Sequence, residues 1–508
     1  MELNILKNMK SETKIFYTFL AVHLIVWTLL GLVRTVLPTD ALEGIYWGYL
    51  GDFGTPKHPP LFGWLAYWVY NIFKTDFSIY FVSQLFILCG FIYIYKLAKF
   101  FLNDFKAMLS VIILEGCWCY SYITCYYGFN PDVILLCFLP MIAYYFYKCM
   151  YFEKNSDWIK LGLLMGVAFL NKYQTAFMLV AMFIWALMFK RETFKNKFFY
   201  IAVIIAFLIF SPHILWLIKY DFFPFMYFEG ELTANSWLNH ITAPLMFLVM
   251  QLALIAGTLL IFAITKFKYK LQFDLGYKKI PNQVRDDDFS AFRKNKKDLW
   301  FIILLGYLPL AIHLLMGLVN GGHMRPRWGY EFWFMLGITL FYFVKDKITK
   351  EQFVFITKCA YVVMFIIFLA LGTLLSVEKN YRSRYPVAHV YNDLQKFWSA
   401  QTDKPLKYIG GYIEWTLPLT IYSEGHPDCI LDTFGYKNPW ISEEDLKKSG
   451  ILIIDRTPEK VIRETHKSCP YLAEDYEINP IEYKFFVKNA FGQKREYTVY
   501  YYIVKSEM

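Results

Sequence analysis

Long apolar runs follow one another over most of the chain, separated by polar stretches too short to fold alone. A bilayer-crossing helix needs about 20 apolar residues. Eleven spans are predicted, at 15–37, 77–101, 107–124, 132–151, 158–171, 174–189, 198–218, 243–265, 299–319, 328–344 and 353–375. The first has no short apolar core followed by a small-residue cleavage site, so it reads as an uncleaved helix. The apolar runs end at Leu375. Beyond it, "KYIGGY" and "ILIIDR" have the length and β-branched content of short buried strands, and "EYTVYYYIV" predicts a terminal strand. "SEEDLKKSG" predicts a helix with Ser442 as N-cap, acids in the first turn, lysines late and Gly450 as the stop. The pattern thus defines a polytopic all-α membrane domain over 1–375, with a first outer loop at 38–76, and a small soluble α/β domain over 376–508.

Composition agrees. The 508 residues are 57% hydrophobic, 20% aromatic and only 19% charged, below the quarter charged that soluble chains average. The net charge of +10 would suit nucleic acid if it were clustered on a soluble face. Its distribution excludes that. Alternate connections beginning at the N-terminus carry 27 Lys and Arg, whereas the opposite set carries six: Lys57, Lys74, Lys172, Lys219, Arg325 and Arg327. By the positive-inside rule the N-terminus is cytoplasmic, and the first loop, "GHMRPRW" and the C-terminal domain lie on the outer face. The basic connection 266–298 is expected to face lipid headgroups. Most cysteines fall in or beside apolar runs and read as small hydrophobes. Only Cys429 and Cys469 fall in the polar tail, where an oxidising compartment would let them pair.

Polar chemistry gathers on the predicted outer face. Asp40 and Glu43 stand three apart at the start of a helical pattern, which brings both to one face. The same spacing is that of an N-terminal capping box. Lys57 and His58 precede Pro59 and Pro60, whose fixed backbone holds the pair on a stiff corner. A carboxylate serves as a general base, and a Lys neutralises phosphate as a point charge. Trp47, Trp64 and Trp68 read as an interfacial aromatic belt. Asp132 in "FNPD" stands as a helix cap or as a site residue. Lys172, in "FLNKYQ" beside Tyr173, breaks the charge asymmetry and marks an anion contact or a snorkelling chain. His323, Arg325 and Arg327 in "NGGHMRPRWGY" suggest an anion clamp. Glu115 is the main acid well inside a predicted span, where it reads as a polar contact within the bundle. Acids for proton transfer together with bases for phosphate suit a lipid-linked phosphate donor. A transporter of lipid-linked sugars is the competing class; it predicts inverted repeats and mid-span ionisable residues, and no repeat is evident.

The first loop also carries a resemblance. Asp40, Glu43, Trp47, Gly48 and then "KHPPLFGW" are similar to the first-loop motif of the polytopic GT-C glycosyltransferases, the group of the protein O-mannosyltransferases and the bacterial aminoarabinose transferase of lipid A. The nearest likeness is to a bacterial branch of glycosyltransferase family 39. It continues through "FNPD", "FLNKYQTAFML", "SPHILWLIKYDF", "RWGYEFWFMLG" and "KYIGGYIEWTLPLTIYSEGHPD". Most members of the wider group carry adjacent Asp-Glu where this chain has Leu42-Glu43. The resemblance implies a polyprenyl-phosphate sugar donor and inverting transfer at the periplasmic face of a bacterial inner membrane. The acceptor it favours is lipid A or lipopolysaccharide core, with protein O-glycosylation as the alternative. It implies Asp40 as the catalytic acid with Glu43 as partner, and Lys57 near the donor phosphate with His58 beside it. Lys172, Arg325 and Arg327 are added as phosphate candidates from their side of the membrane. Asp132, Tyr173 and His323 are candidate contacts to donor or acceptor. No metal cluster is present in the sequence; a divalent ion near the first-loop acids is left open by the resemblance.

Overall fold

The computed structural model describes residues 10–121, 126–152, 154–232, 236–273, 295–322, 324–431, 441–473 and 475–506. Helices dominate. Among the described residues, seven are long and apolar enough to cross a membrane: Ser11–Gly31, Asp76–Ala98, Pro131–Tyr151, Lys197–Lys219, Asn239–Tyr269, Lys296–Asn320 and Lys350–Val377. Each coincides with a predicted span. The other four predicted spans take different forms. Asn155–Phe169 and Thr175–Phe189 are helices of 15 residues each. The run at 107–124 becomes a nine-residue helix, Asp104–Ile112, followed by a 3-10 turn, Ile113–Gly116. The run at 328–344 becomes a 3-10 helix, Pro326–Met335, and a seven-residue helix, Leu336–Tyr342. Apolarity there reflects burial inside the protein: Leu109, Ile112, Phe332, Phe334 and Ile338 are fully buried. Such broken backbone at membrane depth is tolerated where protein covers it.

The chain divides into two compact units. The first comprises residues 1–30, 53–62 and 80–369. Its packing includes one buried polar knot. Glu115 accepts hydrogen bonds from the ring nitrogen Nδ1 of His23 at 2.6 Å and from Nε1 of Trp27 at 2.8 Å. All three side chains are fully buried. The mid-span acid is therefore a structural tie to the Ser11–Gly31 helix, as a polar contact within the bundle requires.

The second unit comprises residues 31–52, 63–79 and 370–508. Most of the first loop thus clusters with the C-terminal residues, whereas the sequence division kept it with the membrane domain. At its centre is a five-stranded sheet of β1 (Tyr408–Gly411), β2 (Asp428–Leu431), β3 (Ile451–Asp455), β4 (Ile481–Lys488) and β5 (Lys494–Val504), in the order β2-β1-β3-β5-β4. β1 pairs in parallel with β2 and β3; β5 pairs antiparallel with β3 and β4. β3 is buried along its whole length, which explains its unbroken apolar run "ILIID". One sheet face packs Ile409, Leu452, Ile454 and Phe485 against Trp398 and Trp415. The other packs Ile451 and Ile453 against Leu446 and Val461. The Glu443–Ser449 helix starts and stops as its sequence predicts. The Ser442 side chain accepts from Asp445 N, and Gly450 follows with φ 73°. Cys429 and Cys469 are free and buried, and the disulfide left open by the sequence is not formed. The Cys429 thiol instead donates to Thr416 Oγ1.

Candidate functional site

The first-loop acids belong to the second unit. The helix Thr39–Leu50 begins where the spacing places it, but Pro38 occupies the N-cap and supplies no side-chain cap. The capping box therefore does not form. Asp40 sits in the first turn, where a negative charge favours the helix dipole. Asp40 is half-buried and Glu43 is buried. Trp47, expected at a lipid interface, is also buried, whereas Trp68 is 59% exposed. The helix is held close to the following one, Leu61–Phe73, through two glycines. A Cβ on Gly48 would lie 2.0 Å from the Gly63 carbonyl oxygen. Two backbones meet at that point, which explains the glycines of "WGY" and "FGW".

The basic corner belongs to the first unit. Thr55 builds it. Its hydroxyl donates to the His58 carbonyl at 2.8 Å and accepts from His58 N at 2.9 Å, while its own N–H also donates to the His58 carbonyl. Pro59 and Pro60 follow, and the Leu61–Phe73 helix starts at once, with Leu61 N bonded to the Leu170 carbonyl at 2.9 Å. Lys57 and His58 are thereby fixed side by side, both half-buried. The His58 imidazole titrates well below its usual range. Burial is the main cause, and the positive charges of Lys172, Arg327 and Lys57 add to it. The ring is neutral at pH 7 and stands within the field of three cations. Arg327 lies over the Tyr127 ring, 5.8 Å from its centroid.

Lys172 is the buried member of this group. Its ammonium is ion-paired with Asp132 and, at 3.2 Å, with Glu331 Oε1. Asp132 reaches this position because Asn130, and not Asp132, caps the Pro131–Tyr151 helix: the Asn130 side chain accepts from Val133 N at 3.1 Å. Pro131 fills the first helical position, where no N–H is needed. Asn171 binds the Pro131 carbonyl at 2.8 Å and locks the two segments together. Tyr173 donates to His213 Nε2 at 2.7 Å, since His213 Nδ1 is committed to the Phe53 carbonyl at 2.6 Å. Burial holds the Tyr173 hydroxyl well above its usual range.

The Arg325–Arg327 segment is positioned by two glutamines. Gln174 donates to the Trp328 carbonyl at 3.1 Å, and Gln251 donates to the Pro326 carbonyl at 2.6 Å. The Gln251 oxygen accepts from Trp333 Nε1. Arg325 is half-buried at the start of this 3-10 helix. His323 lies outside the described residues.

The first unit thus brings together Lys57, His58, Lys172, Arg327 and Asp132, and adds Glu331, which the sequence reading missed. A lone acid inside "RWGYEFWF" was its signal, because an ionisable residue in a predicted span is a site by default. The lysine predicted as a phosphate contact has most of its charge met by two carboxylates. Among the described residues, no three His, Cys, Asp or Glu side chains group as a metal site.

Residues 57–216 match the family model described as dolichyl-phosphate-mannose-protein mannosyltransferase. The match begins at the lysine of "KHPPL" and bears out the resemblance drawn from the first loop: the chain is a membrane glycosyltransferase. Two similar solved structures come from Archaeoglobus fulgidus. One is its oligosaccharyltransferase in the apo form, 10% identical, with a TM-score of 0.43, covering 95% of this chain and 74% of that one. The other is the oligosaccharyltransferase AglB in complex with an inhibitory peptide and a dolichol-phosphate, 10% identical, with a TM-score of 0.38, covering 94% of this chain and 74% of that one. At TM-scores below 0.5 the likeness assigns no chemistry to this chain. No curated protein matches the sequence.

Proposed function

We propose that the protein moves a sugar from a polyprenyl-phosphate donor to an acceptor in the bacterial cell envelope, at the periplasmic face of the inner membrane. Lipid A or lipopolysaccharide core is the favoured acceptor. The observation that carries the reading is the corner of Lys57 and His58 at the start of the family match, with the charges of Lys172 and Arg327 acting on the His58 ring. In the reaction the bond between the anomeric carbon and the phosphate oxygen breaks. Its electron pair leaves with the carrier phosphate. Lys57, Arg325 and Arg327 neutralise that growing charge, and a fixed cation costs no reorganisation at the moment of reaction. The acceptor oxygen attacks the opposite face of the sugar, so configuration inverts. Where the acceptor is a hydroxyl, its proton passes to Asp40. Asp40 is the better base of the two first-loop acids because Glu43 is buried. Lys172 acts mainly by fixing Asp132 and Glu331, and Asp132 and Tyr173 are proposed as contacts to donor or acceptor. Where the acceptor is a phosphate, Asp40 orients it and no strong base is needed.

Protein O-glycosylation is the second reading. It is favoured by the family description, which names protein mannosyl transfer.

The test uses the purified protein in nanodiscs with polyprenyl-phosphate sugars and lipid A. Asp40→Asn is expected to abolish transfer while the protein still inserts. Lys57→Ala is expected to raise the KM for donor by roughly tenfold to a hundredfold, the loss of one charged contact. Near-wild-type turnover by Asp40→Asn would remove the proposed base.

A further inference from the structure

No residue at the tip of the β4–β5 hairpin is among the proposed site residues. The tip is pinned to the end of a membrane-length helix. Asn489 Nδ2 donates to the Val377 carbonyl at 3.0 Å, and Ala490 N donates to the Ser376 carbonyl at 3.0 Å. Ser376 and Val377 are the last residues of the Lys350–Val377 helix. The last turn of a helix that crosses the hydrocarbon core is expected at headgroup depth, together with a hairpin fastened to it. Its tip is built for that depth. Gly492 turns the chain with φ 78°, and Phe491 projects from it, 71% exposed. Lys488 and Lys494 are directly paired across the two strands, both exposed. Like charges placed opposite each other in a sheet repel. Neither lysine is ion-paired with a carboxylate among the described residues.

A cavity of about 570 Å³ adjoins the same helix end, lined among others by Glu378, Lys379, Asn380, Arg382, Arg495 and Tyr497. Three of these are cations. Arg382 is satisfied by Glu414 at 2.7 Å. Lys379 and Arg495 make no ion pair among the described residues; Arg495 only stacks on Tyr497, 5.1 Å from its ring centroid. Tyr497 in turn donates to the Lys379 carbonyl at 2.8 Å, which ties the strand to the helix end.

We propose that this hairpin tip is a lipid anchor. Phe491 enters the bilayer interface, and Lys488, Lys494, Arg495 and Lys379 bind the phosphate of anionic lipid headgroups, with the cavity receiving one of them. An exposed aromatic flanked by basic residues is the composition of an interfacial element. An anionic headgroup between Lys488 and Lys494 converts a repulsion into two attractions. The inference does not depend on which sugar or acceptor the enzyme uses.

The test is hydrogen–deuterium exchange of the full chain in nanodiscs of phosphatidylglycerol and of phosphatidylcholine. Amides of residues 486–496 are expected to exchange at least about fivefold more slowly in phosphatidylglycerol, the effect of one basic residue at an anionic surface. Equal exchange in the two lipids would overturn the proposal, and that result needs no variant. The triple variant Lys488→Gln, Lys494→Gln, Arg495→Gln is expected to lose the difference, and Lys494→Arg to keep it. In detergent without lipid, inorganic phosphate is expected to give no protection. Full protection by inorganic phosphate alone would make this a free-anion site and would also overturn the proposal.

Discussion

The Lys172 ammonium lies between two buried carboxylates, and its removal would leave Asp132 and Glu331 without a counter-charge. Breaking a buried pair by deleting one partner costs about 3–5 kcal/mol. Lys172→Met is therefore expected to lower the thermal midpoint sharply, and adding Asp132→Asn and Glu331→Gln to restore much of it. An unchanged midpoint for the single variant would show that the ion pairs contribute nothing. At this scale the sequence was informative where backbone chemistry is strict. The two prolines announce the corner that presents Lys57 and His58, and a lone outer lysine announces Lys172. Thr55, which closes that corner, gives no signal, because its hydrogen bonds are made to main chain that any sequence provides. Asp132 was open between cap and site. The choice turns on Pro131: a proline at the first helical position makes Asn130 the cap and frees the acid.

At the scale of elements, the two helices that carry "DALEG" and "PLFGW" meet through Gly48 and Gly63. Gly48→Ala places a methyl against a main-chain oxygen, and neither helix can yield without moving its neighbours. Overpacking of this kind costs typically about 1–3 kcal/mol. The expected result is a lower thermal midpoint together with reduced transfer, since Asp40 lies in the first turn of the first of these helices. Wild-type stability would show that the helices separate easily. The seven long spans were legible from apolar length alone. The broken segments at 104–116 and 326–342 were not, because burial inside protein and burial in lipid select the same side chains. In the C-terminal unit, β3 and the Ser442-capped helix carry strong local signals. β4, with its alternating exposed and buried residues, was missed because its outward charges mask the inward Tyr483, Phe485 and Val487.

At the scale of the whole molecule, the charge asymmetry of the connections supports a cytoplasmic N-terminus and an outer C-terminal unit. A reporter enzyme fused after Glu507 is expected to be active only outside the cytoplasm; activity confined to the cytoplasm would reverse the orientation. The class of enzyme was readable because the first loop concentrates its chemistry in a contiguous motif. The acceptor was not, because no contiguous stretch records what a surface of this kind receives. The central claim is transfer of a sugar from a lipid-phosphate carrier to an envelope acceptor. The most direct test is mass spectrometry of lipid A, core oligosaccharide and envelope glycoproteins from cells with the gene, without it, and with Asp40→Asn in its place. Loss of a single sugar from lipid A or core, in both the deletion and the Asp40→Asn strain, is the predicted result. An unchanged envelope in all three, with a lipid-linked sugar accumulating in the deletion strain, would contradict it.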